Sequence, residues 1–359
     1  MVRDSFSAWF ESWYCFAARL VRPIPVLQKI DPVAVLQEVA KKIIFLTNYL
    51  NLEVTMQIGL IGLGKMGFNL ALNFRRNGHE VIAFDKSKSA MERIGAEGIR
   101  TAASVGELAD TLSGRKVIWV MVPAGNAVDV ILGNLKNHLR ADDIIIDGGN
   151  SHYRETMARA ADLDRSGIHL LDCGTSGSIS GALNGISATV GGFKGAFDHC
   201  AALFESVAQK DGVLYCGKSG NGHFIKMIHC GIEYGMMQAI AEGIELVNKY
   251  NPSFDMAGII RTWNNGSVIK SDLLQLTQKI FEQEPNLESI RGVMNSSGEG
   301  KWTVETALEL GVPAPVITMA LLTRYRSQQQ DTLSGKVVAA LRNRFGGHPL
   351  EKSEPKNDQ

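Results

Sequence analysis

The sequence predicts an α/β fold in which a doubly wound parallel sheet is followed by an all-α C-terminal domain. From Met56 onward, short apolar runs alternate with helical segments of about 10–15 residues, which is typical of βαβ units. After about Gly220 strand-like runs become rare, and helical patterns continue to about Arg344. The chain has 359 residues, a length that favours two domains.

These patterns divide the chain into four segments. Residues 56–220 form the sheet domain, 221–348 the helical domain and 349–359 a disordered tail. Residues 1–55 form an N-terminal extension with a different composition. It is either upstream sequence read through in error before a start at Met56, or an appended helix that docks on the body.

Composition excludes several classes of function. Lys and Arg total 37 and Asp and Glu total 37, so nothing indicates binding to nucleic acid or to an anionic membrane. No uncharged apolar run reaches the ~18 residues of a membrane span, and the start matches a secretory signal poorly. The five cysteines and eight histidines lack metal-ligand spacing. We therefore expect a cytoplasmic protein with reduced thiols and no metal.

The elements of the sheet domain follow from the apolar runs and the breakers between them. A helix after the first strand ends at Gly78, a residue that readily takes the left-handed conformation at a helix end. Beyond the sheet, one long helical pattern opens the helical domain. The predicted strands are Gln57–Ile61, Glu80–Phe84, Lys116–Val122 and Asp143–Asp147, and the predicted helices are Met66–Asn77 and Gly222–Lys249.

A glycine-rich loop lies between the first strand and the first helix. Its six residues are Gly62, Leu63, Gly64, Lys65, Met66 and Gly67, a GxGxxG pattern. The first glycine permits the tight turn, the second lets a pyrophosphate approach the backbone, and the third lets the helix pack closely on the strand. The pyrophosphate then lies at the positive end of the helix. This pattern predicts a Rossmann-type dinucleotide-binding domain.

An acidic residue ends the second strand, where it can bind the ribose of the cofactor. Asp85 follows Gly64 by 21 positions, and its carboxylate favours NAD by accepting from ribose hydroxyls and repelling a 2′-phosphate. Lys86 can reduce the preference for NAD over NADP, because its ammonium group can bind the 2′-phosphate of NADP. Further expected cofactor contacts come at the end of the next predicted strand, namely Val122, Pro123 and Ala124.

The first turns of the long helix carry polar side chains in a stripe. Lys226 and Glu233 are seven residues apart, almost two helical turns, so they project from nearly the same face. His229 and Cys230 lie in the turn between them. Spacing alone leaves two interpretations open: a catalytic pair, or a solvated stripe with an ordinary Lys/Glu pair.

Six segments of the chain resemble 6-phosphogluconate dehydrogenase, the decarboxylating enzyme of the pentose phosphate pathway. The resemblance covers Met56–His348, and the modest length after Lys226 is similar to the short-chain, NAD-preferring branch of the family. The segments are residues 59–67, 147–154, 226–235, 298–305, 311–316 and 342–348.

The resemblance implies a reaction and two catalytic residues. 6-Phospho-D-gluconate is oxidised at C3 and loses CO2 to give D-ribulose 5-phosphate, with NAD preferred, NADP possible and no metal required. Lys226 matches the general base that takes the C3 hydroxyl proton. Glu233 matches the general acid that protonates C1. A lysine that is neutral and a carboxyl group that is protonated near pH 7 need burial or neighbouring charge to tune them.

The resemblance also implies a set of substrate contacts. Asn150 matches a contact to substrate and nicotinamide, with capping of the following helix as its structural alternative. Ser176, Gly177 and Ser178 match the loop around the substrate carboxylate. The remaining matches are His229 with Cys230 near the substrate hydroxyls, and Tyr234 with Arg324 at the phosphate, where Arg326 is a nearby substitute.

Three positions of the chain depart from the pattern of the family. Ser178 replaces a glycine, which can restrict the backbone or crowd the pocket. Cys230 replaces an asparagine, and a thiol is a poor hydrogen-bond partner. Ser297 replaces a phosphate-binding lysine of the long-chain relatives, a change that the short branch shares.

Two residues near the end match positions that enter the active site of a neighbouring subunit. Arg342 and His348 would complete the neighbour's site, which implies an obligatory homodimer or a higher homo-oligomer. The alternative is a basic, solvated tail.

Two further functions compete with the decarboxylating enzyme. One is a related 3-hydroxy-acid dehydrogenase acting on another polyol acid, with Cys230 and Ser178 as specificity changes. The other is a catalytically impaired dinucleotide-binding homologue. The presence of both Lys226 and Glu233 favours the decarboxylating enzyme over each of them.

Overall fold

The structure, a computed structural model, describes residues 55–352 and contains one eight-stranded sheet. The N-terminal extension expected over residues 1–55 lies outside the described residues except for Thr55, and the tail expected from 349 lies outside them beyond 352. The strands are β1 Gln57–Ile61, β2 Glu80–Phe84, β3 Arg100–Thr101, β4 Val117–Val120, β5 Ile144–Asp147, β6 His169–Ser176, β7 Ile186–Gly191 and β8 Ala208–Gly217.

Helices connect the strands and then make up the rest of the described chain. In the sheet domain they are α1 Lys65–Arg76, α2 Lys88–Ala96, α3 Val105–Thr111, α4 Asn126–Leu135, α5 Tyr153–Asp164, α6 Ser178–Asn184 and α7 Lys194–Val207. They are followed by α8 Asn221–Tyr250, α9 Met256–Asn264, α10 Asp272–Gln283, α11 Gly298–Glu309, α12 Pro315–Ser327 and α13 Leu333–Gly346.

The sheet confirms the predicted fold class and corrects it at one pair of strands. The strand order is β3-β2-β1-β4-β5-β6-β7-β8. Every pairing is parallel except β6 with β7, which is antiparallel because only the short helix α6 separates these strands. From β1 the strand order runs to β2 and β3 on one side and continues with β4 on the other side, so the order reverses between β1 and β4. In open α/β sheets, ligands bind at such a switch point, outside the carboxyl ends of the strands.

Two apolar layers cover the two faces of the sheet. Alternate residues of one strand enter different layers: Val117 and Trp119 face one cluster, and Ile118 and Val120 face the other. Strands buried on both faces read as continuous apolar runs, and the four strands predicted from the sequence, β1, β2, β4 and β5, are largely of this kind. The strands β3, β6, β7 and β8 were not predicted. The strands β4 and β5 are nevertheless shorter than predicted.

One long helix connects the sheet to the helices that follow. Helix α8 spans 30 residues, and its buried residues all lie between Gly222 and Gly235. Farther along, a small core joins α8 to the next helices through Met256, Ile260 and Leu274. Within residues 55–352, no helix has the length and apolar character needed to cross a bilayer.

Candidate active site

The glycine-rich loop packs against the end of β4 and leaves one side open. Gly62 has a φ of +100°, and a β-carbon there would clash with the carbonyl oxygen of Met121. A β-carbon at Gly67 would clash with the carbonyl oxygen of Gly62, so the third glycine is needed for the helix to approach the strand. By contrast, nothing lies within 4 Å of a β-carbon built at Gly64.

The first turn of α1 is suited to an anion. Gly64 is its N-cap, no side chain caps the turn, and the turn contains no acidic residue. The first N–H groups therefore remain available, and the helix dipole favours negative charge at this end. The open space beside Gly64 and these donors fit the pyrophosphate of a dinucleotide.

The carboxylate of Asp85 lies beside this loop. Its Oδ2 accepts from the Leu63 backbone N–H at 2.6 Å, and its Oδ1 accepts from that of Ser87 at 2.7 Å. The carboxylate is thus fixed at the end of β2. Of the other residues predicted to bind the cofactor, Lys65, Lys86, Pro123 and Ala124 are exposed, and Met66 and Val122 are half-buried.

The ends of β5 and β6 are joined through Asn150. Its Oδ1 accepts from the Thr175 backbone N–H at 3.2 Å, and its Nδ2 donates to the carbonyl oxygen of the same residue at 3.4 Å. Asp147 orders this loop by accepting from Gly149 and Ser151. The N-cap of α5 is His152, so the alternative role of Asn150 as helix cap is wrong.

Lys226 is buried where α8 meets the end of β6. Only 7% of the residue is exposed. Its Nζ lies 3.3 Å from Ser176 Oγ and 3.3 Å from His229 Nδ1. Within residues 55–352, no carboxylate oxygen lies within 4.0 Å of this amine. The structure therefore brings the predicted base and the predicted carboxylate loop into contact, although 50 residues separate them in the sequence.

The next turn of α8 continues the same face. His229 Nδ1 lies 3.9 Å from Glu233 Oε2, so the imidazole stands between the predicted base and the predicted acid. Burial and the nearby Lys226 charge lower the pKa of His229, which keeps the imidazole neutral. Burial raises the pKa of the Cys230 thiol, so this half-buried side chain is protonated near neutral pH.

Two predicted phosphate-site residues, Tyr234 on α8 and Arg324 on α12, form a separate group with Ser297, the N-cap of α11. The Tyr234 hydroxyl lies 3.0 Å from Ser297 Oγ and accepts from the Ser297 backbone N–H at 3.1 Å. The guanidinium of Arg324 lies over the Tyr234 ring, 3.7 Å from its centroid. Two hydroxyls and a guanidinium are donors suited to a phosphate group.

Four predicted substrate residues lie at the margin of this arrangement or away from it. Gly177 and Ser178 are exposed at the start of α6, and Ser178 has a φ of +59°, a conformation that suits the glycine of the family. Arg342 and His348 are exposed at the end of α13. In the part of the chain that the structure describes, no hydrogen bond or ion pair joins either of them to the other substrate residues.

Sequence reasoning missed the buried groups that fix the start of α8. Asp172, fully buried on β6, accepts from the backbone N–H groups of Gly220 at 2.7 Å and His223 at 2.9 Å. The His223 ring lies 2.8 Å from Thr156 Oγ1 and 3.0 Å from the carbonyl oxygen of Asp147. An aspartate inside an apolar strand is a signal of such a role, but its partners are 48 and 51 residues away.

We expect Asp172→Asn to lower the free energy of unfolding by about 1–3 kcal/mol. The amide retains one acceptor and turns its NH2 group toward the second backbone donor, which leaves a buried N–H unsatisfied. Urea denaturation measures the effect. The control is Asp198→Asn, which removes an exposed partner of Lys194 on α7 and should leave the midpoint nearly unchanged. Equal midpoints for the two variants would contradict the role of Asp172.

A helix N-terminus left open at the switch point of a doubly wound sheet is typical of enzymes that use NAD or NADP, and this chain is an oxidoreductase of that class. Two family models match it. The NAD binding domain of 6-phosphogluconate dehydrogenase matches residues 57–218, and the C-terminal domain of 6-phosphogluconate dehydrogenase matches residues 222–345. The chain belongs to the 6-phosphogluconate dehydrogenase family.

Individual relatives agree with this assignment. The chain is 48% identical to YqeC of Bacillus subtilis, provisionally named a 6-phosphogluconate dehydrogenase, over 83% of this chain and 100% of the relative. It is 42% identical to the NAD(+)-dependent, decarboxylating 6-phosphogluconate dehydrogenase of Haloferax volcanii, over 83% of this chain and 100% of the relative. Among solved structures, Plasmodium falciparum 6-phosphogluconate dehydrogenase is similar with a TM-score of 0.70 and 29% identity, over 84% of this chain and 67% of that chain.

Proposed function

We propose that the chain oxidises and decarboxylates 6-phospho-D-gluconate to D-ribulose 5-phosphate and CO2, a step of the pentose phosphate pathway. The observation that carries the proposal is Lys226, a buried amine with no carboxylate partner within residues 55–352, on the same helix face as Glu233. The proposal also places the enzyme in the cytoplasm. The four cysteines within residues 55–352 are free thiols, as is usual in that reducing compartment.

Lys226 acts first, as general base. Its Nζ takes the proton of the C3 hydroxyl, while bound NAD supplies the acceptor for the hydride that leaves C3. The ammonium group formed on Lys226 then polarises the new C3 carbonyl and stabilises negative charge as CO2 leaves. Ser176 Oγ, 3.3 Å from Nζ, holds the amine in position on the sheet side.

Glu233 acts last, as general acid. After C1 of the substrate leaves as CO2, the enediol needs a proton at the carbon that becomes C1 of ribulose 5-phosphate, and the Glu233 carboxyl group delivers it. The helix holds the two groups at seven residues' separation, about 10 Å along its axis, and the long side chains close the distance from both sides. His229 lies between them and contacts the hydroxyls of the intermediate.

The ends of the substrate are assigned from the remaining polar groups. Tyr234, Ser297 and Arg324 receive the phosphate, since Tyr234 contacts both of the other residues. Ser176, Gly177 and Ser178 receive the carboxylate, next to Lys226. Asn150 orients the substrate and the nicotinamide from the end of β5.

NAD is the preferred cofactor in this proposal, because Asp85 presents a fixed carboxylate near the ribose. We expect Asp85→Ala to lower the ratio of kcat/KM with NAD to kcat/KM with NADP by about 10- to 100-fold, the effect of losing hydrogen bonds to a charged group. Steady-state kinetics with both cofactors gives this ratio.

The ratio cancels effects common to both cofactors, such as a loosened Leu63 backbone. Asp85→Asn is the control that keeps an acceptor for Leu63 while it removes the charge. It should shift the ratio in the same direction. A ratio unchanged in both variants would show that Asp85 does not distinguish the cofactors.

A second subunit completes the site in this proposal. Helix α13 has no buried residue and exposes a stripe of large apolar side chains, which needs a partner surface. Arg342 and His348 lie at the end of this helix and would enter the neighbour's site. The exposed apolar residues of α13 are Leu333, Val337, Val338, Leu341 and Phe345.

The test combines purified protein, 6-phosphogluconate and each cofactor in turn, with reduced cofactor and CO2 recorded together. Equimolar reduced cofactor and CO2 is the expected result. Reduction without CO2 would assign a plain dehydrogenase. Bound dinucleotide with neither product would overturn the proposal and support a different substrate or an impaired homologue.

A further inference from the structure

Three side chains on the first half of α8 present metal-binding atoms to one another. The imidazole of His229, the thiol of Cys230 and the carboxylate of Glu233 each offer a donor atom, and these atoms all lie within 4.8 Å of one another. The His229 and Glu233 side chains are 51% and 40% exposed, so both can change rotamer to reach a common ion.

This donor set has the chemistry of a site for zinc. Zinc binds nitrogen, thiolate sulfur and carboxylate oxygen at about 2.0–2.3 Å, which places tetrahedral ligand atoms roughly 3.5 Å apart. To reduce the separation of the donor atoms from 4.8 Å to this distance, the ends of the partly exposed His229 and Glu233 side chains need to shift by about 1 Å. Three protein ligands leave the fourth position to water.

The same atoms are in use by the proposed reaction. His229 Nδ1 lies 3.3 Å from Lys226 Nζ and 3.9 Å from Glu233 Oε2. An ion held by His229 and Glu233 prevents the Glu233 carboxyl group from protonating the enediol. It also brings a positive charge next to Lys226. Ion binding and turnover therefore exclude each other.

We propose that His229, Cys230 and Glu233 bind a thiophilic divalent cation, zinc above all, and that this ion inhibits the enzyme reversibly. When the ion binds, the thiol gives its proton to solvent and a metal–sulfur bond forms. The ion is not a catalytic cofactor. Binding stands on the three donors alone, whereas inhibition rests on the proposed function.

Cobalt(II) tests the site without any activity measurement. It takes the place of zinc in tetrahedral sites and gives a thiolate-to-metal absorption band when sulfur is a ligand. When the full-length protein is titrated with cobalt, the absorption of this band should saturate at one cobalt ion per chain. Added zinc should displace the cobalt and remove the band. A titration with no thiolate band would overturn the proposal.

Variants identify the ligands. Cys230→Ser should abolish the thiolate band, and His229→Gln and Glu233→Gln should each weaken cobalt binding by at least about 10- to 100-fold, the range known for groups that only support a ligand. Cys216→Ser is the matched control, because Cys216 is a half-buried thiol on β8 and not one of the three donors. A band that survives in Cys230→Ser and disappears in Cys216→Ser would place the metal elsewhere.

Inhibition is measured separately on the zinc-free enzyme. The expected result is loss of turnover with zinc and full recovery with EDTA, and a smaller fold-inhibition for Cys230→Ser relative to its own zinc-free rate. A thiolate band in a protein with no turnover on 6-phosphogluconate would sustain the site and reject the proposed function. If zinc leaves turnover unchanged at zinc concentrations that fully displace cobalt from the site, inhibition is rejected.

Discussion

Lys226→Met is expected to lower kcat by at least about 10²- to 10⁴-fold, the usual contribution of a general base, while binding of the dinucleotide is retained. Methionine fills a similar volume in the buried position but has no atom that takes a proton. Only 7% of Lys226 is exposed, and its amine contacts Ser176 and His229.

Two measurements separate chemistry from folding in this variant. Steady-state kinetics gives the rate, and fluorescence titration with NADH gives cofactor affinity. The matched control is Lys249→Met, the same substitution at an exposed position of α8, which should keep normal turnover. A Lys226→Met enzyme with near-normal kcat would remove Lys226 from the role of base.

Gly222→Ala is expected to be harmful, although alanine is the better helix former by about 1 kcal/mol. A β-carbon at Gly222 would clash with the carbonyl oxygen of Thr189 and lie 2.6 Å from that of Asp172. These are backbone atoms of the sheet and cannot turn away. The helix must therefore shift, and overpacking of this kind costs about 1–3 kcal/mol.

The effect on turnover should exceed the effect on stability. Gly222 lies one helical turn before Lys226, and a displacement of about 1 Å at the reacting groups lowers rates by roughly 10²-fold. Kinetics and urea denaturation on the same preparation give both quantities. The control is Gly243→Ala on the same helix, where nothing lies within 4 Å of the new β-carbon and the helix should become more stable. Similar behaviour of the two variants would refute the steric explanation.

Local patterns made much of the fold predictable, together with the positions of several candidate site residues, whose roles stay predictions. The glycine loop, Asp85 and the stripe from Lys226 to Glu233 each depend on spacing within one or two elements, and such spacing is legible in a sequence. The contact of Lys226 with Ser176 depends on packing of α8 against β6. No periodicity reports a contact across 50 residues.

The parts that escaped prediction are long-range and polar. The antiparallel pair β6–β7 depends on how the chain leaves β6 through α6, and a short apolar run does not encode its own direction. Asp172 satisfies donors at the start of α8 from the middle of the sheet. Arg342 and His348, assigned by resemblance, lie at the end of a helix that buries nothing in this chain, and their role stays a prediction.

Helix α8 joins two environments without a break. Its buried residues all lie between Gly222 and Gly235, and none of its residues from 236 to 250 is buried. Amide hydrogen exchange along this one element should therefore fall into two regimes. The amide hydrogens of the first four turns should exchange with solvent as slowly as those of the sheet, at rates set by global unfolding. Those of the later turns should exchange faster, through local opening of the helix. If a second subunit covers those later turns, their protection will rise with protein concentration while that of the first turns stays constant.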